Sequence, residues 1–304
     1  MASSRLKAYL LLVLVAAIWG IAGPVIKYTL PDFPPIIFLT YRFAISLIIL
    51  IPITLITKQK FPKNKRDLLI LTLVGLLGSS INLGLLFYGF NYTTALDASL
   101  LSATAPVFVV TAGAFFLNEK VTKKEKLGVV ITFVGSIIII LQPLIEGGLF
   151  KLENMYGNLL IIAANFAWVL YVVLSKYELK HKVKPLLMTT YMFLLGFITL
   201  LPLALIQSGG VSSLINQLTN TPIKPHLGVW YMAILSGAVA YFLYQKAQKT
   251  IEASEATLFS YLSPLFAAPL AVFWLGETIT PAFLIGGVII AMGVFIAELK
   301  KKKS

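Results

Sequence analysis

The sequence predicts an all-α integral membrane protein: ten transmembrane helices arranged as two inverted five-helix repeats around a central cavity. Three observations carry this prediction. The 304 residues are 58% hydrophobic and 12% charged, with mean hydropathy +0.89, whereas soluble domains carry about 25% charged residues. The basic residues fall in short clusters between long apolar runs. Residues 95–135 recur without a gap at 253–293, an offset of 158 at which 14 of 41 positions are identical.

A membrane-crossing helix needs about 20 mainly apolar residues. Ten stretches qualify: 6–26, 36–56, 68–88, 97–117, 127–143, 157–176, 186–206, 227–247, 255–275 and 281–299. The first follows Met1-Ala-Ser-Ser-Arg-Leu-Lys, which looks like the start of a signal peptide, but its apolar run is long enough to span and reads as a retained helix. The fifth is short, and the fourth and ninth contain Pro106 and Pro264. Connections are short except for 207–226, where Gly209-Gly210, Asn216, Asn220, Pro222 and Pro225 read as an external loop. The chain divides into a first repeat at 1–143, an external linker at 144–156, a second repeat at 157–299 and a basic tail at 300–304.

Charge sets the orientation. With the N-terminus inside, 21 Lys and Arg fall on the inner side, Lys27, Lys151 and Lys224 on the outer side, and Arg42 within a span. Cytoplasmic loops carry this excess, so both termini are expected in the cytoplasm and the chain in the cytoplasmic membrane. Five spans per half then force the two halves to enter from opposite sides. The repeated segment agrees: Asn118-Glu119-Lys120-Val121-Thr122 runs into Lys123-Lys124, while its counterpart Gly276-Glu277-Thr278-Ile279-Thr280 has no lysine. A second correspondence, at an offset of 149, relates Trp19, Lys27, Tyr28 and Leu30 to Trp168, Lys176, Tyr177 and Leu179. Inverted repeats place a carrier's solute path between the halves and let one rock against the other.

These residues resemble the EamA family of the drug/metabolite transporter superfamily. The motifs are Ala98-Ser99-Leu100-Leu101, Pro106, Leu117-Asn118-Glu119, Gly128 and Gly135. Their second copies are Ala256-Thr257-Leu258, Pro264, Leu275-Gly276-Glu277, Gly286-Gly287 and Gly293, and Trp19-Gly20 and Tyr41-Arg42-Phe43 match as well. The resemblance covers essentially the whole chain. It implies a ten-helix carrier of small metabolites whose central cavity is lined mainly by the first, third, fourth, sixth, eighth and ninth spans.

Several residues are candidates for that cavity. Pro106 and Pro264, each near the middle of a span, are expected to kink their helices and serve as hinges or cavity lining. Trp19 and Trp168 lie deep in their spans, where each indole needs a partner for its N–H. They either face the cavity as a symmetric pair or pack between helices. Asn82, Asn165, Tyr88, Tyr171, Tyr241, Tyr244, Gln245 and Tyr261 together suggest an aromatic, neutral-polar lining, although each could instead bond between helices. Asn165 is the leading single candidate. Arg42 is the one charge clearly inside a span. A structural role, bonding helix-end carbonyls, is favoured over solute contact, unless the solute is anionic. The span glycines are read as close-packing positions, and Glu119 and Glu277 as helix caps or lysine partners.

Other functions fit less well. Without cysteine there is no disulfide, thiolate metal site or catalytic thiol. His181 and His226 sit at span edges, and no catalytic or metal-binding motif is present, so neither an enzyme nor a metal or cofactor is expected. The net charge of +13 is distributed as span-flanking clusters and does not point to nucleic acid. No charged ring or carbonyl filter marks a channel. The lack of a mid-span carboxylate disfavours a carboxylate-driven proton pump. The expected partners are the lipid bilayer and a small solute, neutral, zwitterionic or aromatic, such as an amino acid, moved by alternating access and exported.

Overall fold

Within hydrocarbon, backbone groups can be satisfied inside a helix without outside partners, and long runs of Leu, Ile, Val and Phe fold accordingly. The computed structural model describes all residues except 1, 60, 110–111, 113–122, 148–151, 182, 252, 254–255, 257 and 299–304. Among the described residues there are helices and turns and no strand. In order they are α1 (Ala2–Thr29), α2 (Pro35–Ile56), α3 (Lys65–Tyr92), α4 (Ala95–Val109), α5 (Lys123–Gly147), α6 (Leu152–His181), α7 (Pro185–Ser208), α8 (Val211–Asn220), α9 (Ile223–Thr250), α10 (Ser263–Phe273) and α11 (Pro281–Glu298). Among the described residues six helices, α1, α2, α3, α6, α7 and α9, are long and apolar enough to cross a membrane. Shorter apolar helices cover α4, part of α5, α10 with its preceding turn, and most of α11.

Three features depart from the expected layout. The stretch 207–226 is not simply a loop, because α8 lies inside it. Val211, Leu214, Ile215 and Leu218 recur at helical spacing, and Leu214 and Leu218 rest on the core while no residue of α8 is fully buried. Gly209 (φ 84°) and Gly210 (φ 118°) turn the chain into it, a backbone conformation that glycine adopts without steric cost. Second, α5 runs to Gly147 and α6 starts at Leu152, so helix ends occupy most of 144–156. Third, α4 and α10 are not kinked continuous helices. α4 breaks at Ala103-Thr104 and resumes at Ala105, and α10 follows a 3-10 turn over Leu258–Leu262. Pro106 and Pro264 each stand second in the resumed helix, where the missing N–H has no intrahelical acceptor to lose.

Two long helices carry a π-helical turn, α3 over Leu77–Ile81 and α9 over Ile234–Val239. The last residues of these turns, Ile81 and Val239, stand 158 positions apart, the offset of the repeated segment. A π turn loosens the backbone ladder and leaves carbonyls for other partners. On α9 these are taken up from outside: Ser46 Oγ donates to the Ala233 carbonyl (2.8 Å) and Trp19 Nε1 to the Ser236 carbonyl (3.0 Å).

α1 packs on α9 and α10, α2 on α7, α3 on α6, and α5 on α11. The last pair depends on small residues. A Cβ added at Gly135 would come within 2.9 Å of the Gly286 carbonyl and of the Ile290 backbone nitrogen. One at Gly293 would meet Thr132 N at 2.6 Å and the Gly128 carbonyl at 2.8 Å. Here the close-packing reading of the glycines holds. It does not hold at Gly84, where an added Cβ would meet nothing within 4 Å.

Candidate functional site

The site is framed by helix ends that have been closed off. The last carbonyls of a helix lack intrahelical donors and carry its negative pole. Lys27, in the last turn of α1, donates its Nζ to the carbonyls of Phe90 (3.0 Å) and Thr93 (2.6 Å) at the end of α3. Lys176, its counterpart in the weaker sequence correspondence, donates to the carbonyls of Gln248 and Ile251 at the end of α9. Helix starts are closed by acceptors. Thr94 Oγ1 accepts from Asp97 N (3.0 Å), and the Glu277 carboxylate accepts from the N–H groups of Ala95 (2.7 Å) and Leu96 (2.9 Å). The capping role expected for Glu277 is therefore observed. Glu119 lies outside the described residues.

Between these ends lies a cavity of about 150 Å³, lined by residues of α1, α2, α3, α4, α6, α9, α10 and the turn before α10. One wall is aromatic. The Trp19 and Trp168 rings meet edge to face at 5.5 Å, and Trp19 lies 5.2 Å from Tyr241. All three line the cavity. The choice left open for the tryptophans resolves to both readings: Trp19 faces the cavity and also holds the π turn of α9 through its N–H.

Tyr171 and Tyr244 lie behind that wall. Tyr171 packs tilted against Trp168 at 4.9 Å and accepts a hydrogen bond from Gln245 Nε2 (2.9 Å). Tyr244 packs against both tryptophans, at 5.3 and 5.5 Å. Both are buried and neither lines the cavity. Tyr88 and Tyr261 do not line it either. Tyr88 sits beside Tyr92 and Tyr156, and around Tyr261 it is Ser260 and Ser263 that reach the cavity. The reason is helical phase: a wall two residues deep in aromatic side chains needs a second layer to support the first.

The amides serve the cavity and the frame together. Asn165 Nδ2 donates to the Leu101 carbonyl (2.8 Å) and to Thr104 Oγ1 (3.2 Å), satisfying the break in α4 from across the cavity. Asn82 Nδ2, next to the π turn of α3, donates to the Ala164 carbonyl (2.8 Å). Both asparagines line the cavity, together with hydroxyls that were not singled out from sequence: Ser99, Ser102, Ser236, Ser260 and Ser263. A signal for them existed, because Ser102 and Ser260 are an identical pair of the repeat. Gly20 lines the cavity too and lets α1 approach α10, since an added Cβ would lie 2.5 Å from the Ser263 carbonyl.

Arg42 departs from the carbonyl-bonding arrangement expected of it: among the described residues it bonds no helix-end carbonyl. Its side chain is 1% exposed and lines the cavity, with the guanidinium carbon 5.7 and 5.9 Å from the Phe87 and Phe193 ring centres. Nε and Nη1 are buried without a hydrogen-bond partner among the described residues, as is Ser102 Oγ. A cation on apolar rings beside open hydroxyls can accept a solute's oxygens. Among the described residues no group of metal-ligating side chains is gathered.

Comparison with known proteins agrees with this architecture. The model of the EamA-like transporter family matches residues 6–141 and again 155–299. YyaM, an uncharacterised transporter of Bacillus subtilis, is 31% identical over 97% of this chain and 94% of its own. A probable amino-acid metabolite efflux pump of Escherichia coli is 25% identical over 95% of this chain and 94% of its own. A solved crystal structure superposes at TM-score 0.61, covering 98% of each chain at 17% identity, which speaks for the fold alone. With the family model matched across both halves, the chain belongs to the EamA-like transporter family.

Proposed function

We propose that this protein is a carrier that moves a small organic metabolite across the cytoplasmic membrane by alternating access, with net export. Its ten apolar stretches form two inverted five-helix units, and both termini are cytoplasmic. The observation that carries the reading is the cavity, to which both halves contribute equivalent elements: paired tryptophans, paired helix breaks at Pro106 and Pro264, and paired serines at 102 and 260. Paired π turns and helix-capping lysines support it from outside the cavity. Discontinuous helices beside a mid-chain cavity suit a site whose access alternates. Pro106 and Pro264 act as the points where each broken helix re-forms, and the cavity side chains make the solute contacts. The relative named as a probable amino-acid metabolite efflux pump supports export of a small organic metabolite.

The test is flux in proteoliposomes. A panel of labelled amino acids and organic acids should include a member that shows saturable uptake and counterflow. A non-saturating conductance would instead make the chain a pore. Orientation is tested separately, because the native chain has no cysteine. Ser213→Cys should react with an impermeant maleimide on intact cells, and Lys63→Cys only after permeabilisation. The reverse pattern would invert the topology.

A further inference from the structure

We infer that Arg42 anchors the anionic group of the transported solute, and that this solute is an organic monocarboxylate whose apolar body lies against Trp19, Trp168 and Tyr241. The inference rests on the carrier reading above and adds the chemical class of the cargo.

The argument begins with hydrogen-bond supply. A guanidinium keeps its charge at physiological pH and presents its N–H groups as a planar fork. Arg42 is 1% exposed, yet Nε and Nη1 have no acceptor among the described residues. Buried polar groups are nearly always partnered, and Lys27 and Lys176 in the same protein are. The flanking rings of Phe87 and Phe193 fix the guanidinium and dry its surroundings without supplying an acceptor. Arg42 lines the cavity, so an acceptor held there can reach its guanidinium.

Geometry and charge narrow the partner. Two parallel N–H bonds match the two oxygens of a carboxylate. Among the described lining residues Arg42 is the single cation, and none is acidic, so one negative charge balances the site. A phosphate monoester would bring about −1.5 to −2 and leave charge uncompensated. The remaining surface divides between aromatic rings and neutral amides and hydroxyls, with Ser102 Oγ also open. It suits an apolar body with at most a few neutral polar groups.

The test uses matched compounds on the purified full chain. The probes are 3-phenylpropanoate, its neutral amide, 2-phenylethylamine, and the smaller pair 4-methylpentanoate and its amide. Binding is read from quenching of tryptophan fluorescence, since Trp19 and Trp168 line the cavity, and transport from counterflow in liposomes. The carboxylates should bind at least about tenfold more tightly than their amides, because the amide leaves the buried fork unmatched, and the amine should not bind. Arg42→Gln should remove the preference for acid over amide, while Arg42→Lys should keep its direction. If Arg42→Gln does not fold, the matched series on the native chain and on Arg42→Lys still decides. The inference is overturned if amides bind or exchange as well as acids, or if no carboxylate of the series does either. Counterflow indifferent to acid or amide would sink the anchor and leave the carrier. Arg42-dependent quenching without counterflow would do the reverse.

Discussion

Lys27 and Lys176 on one side, and Arg42 on the other, put the same charge into long apolar helices with opposite outcomes. Each lysine lies near the end of its helix, against the C-terminal end of another, and donates to carbonyls that would otherwise be orphaned. Arg42 sits seven residues into α2, about 10 Å along the axis from Pro35, where it donates to no carbonyl and two of its nitrogens stay unpartnered among the described residues. A charge in a membrane protein is costly in either place. What differs is whether the fold itself supplies the compensation. Where it does, the cation belongs to the architecture. Where it does not, the cation is the proposed anchor for a solute.

Substitutions can test this division, and stability ranks them. Lys176→Met should be the most damaging, because it strands two carbonyls at the end of α9. Bonds to charged donors contribute about 1.5–3 kcal/mol each, so the loss of two, roughly 3–6 kcal/mol, should appear as a large fall in the apparent Tm in detergent and a poor monodisperse yield. Glu277→Gln should cost less, about 1–2 kcal/mol, since the amide oxygen still accepts from one of the two N–H groups at α4 while its NH2 cannot accept from the other; a milder drop in apparent Tm is expected. Trp19→Phe keeps an aromatic ring, though a smaller one, and deletes the N–H bound to the Ser236 carbonyl, whose loss costs about 0.5–1.5 kcal/mol. Arg42→Gln should leave ligand-free stability within about 0.5 kcal/mol of the native chain, or raise it, because it removes an unpaired buried cation. If its apparent Tm fell as far as that of Lys176→Met, Arg42 would be architecture after all and the comparison would collapse.

Much of this was legible in the residues, and the rest was hidden for identifiable reasons. The helices follow from apolar run length, and the equivalence of the two halves from a Pro, a Glu and two Gly at one offset. The π turn of α9 leaves no such trace, because its freed carbonyls are met by the tertiary donors Ser46 and Trp19. α8 was masked by the Gly, Asn and Pro residues around its short apolar stripe. Trp19, Asn82, Asn165, Trp168 and Tyr241 could be placed at the cavity from their polarity at depth. Tyr171 and Tyr244 share that polarity, but only helical phase, fixed by packing, puts them behind the wall. The partner of Arg42 is not legible, because a charge in a span signals the need for a partner and does not say whether a neighbouring helix end provides one.

Glu277 has a bearing on how the protein is made. It stands in the turn between α10 and α11, late in the chain, yet it holds the start of α4, more than half the sequence earlier. During synthesis α4 emerges long before that carboxylate exists, and until then Thr94 is its remaining described cap. Two N–H groups at the start of α4 therefore lack their carboxylate partner until the ribosome has passed residue 277, which ties the last stretch of translation to the completion of an early helix.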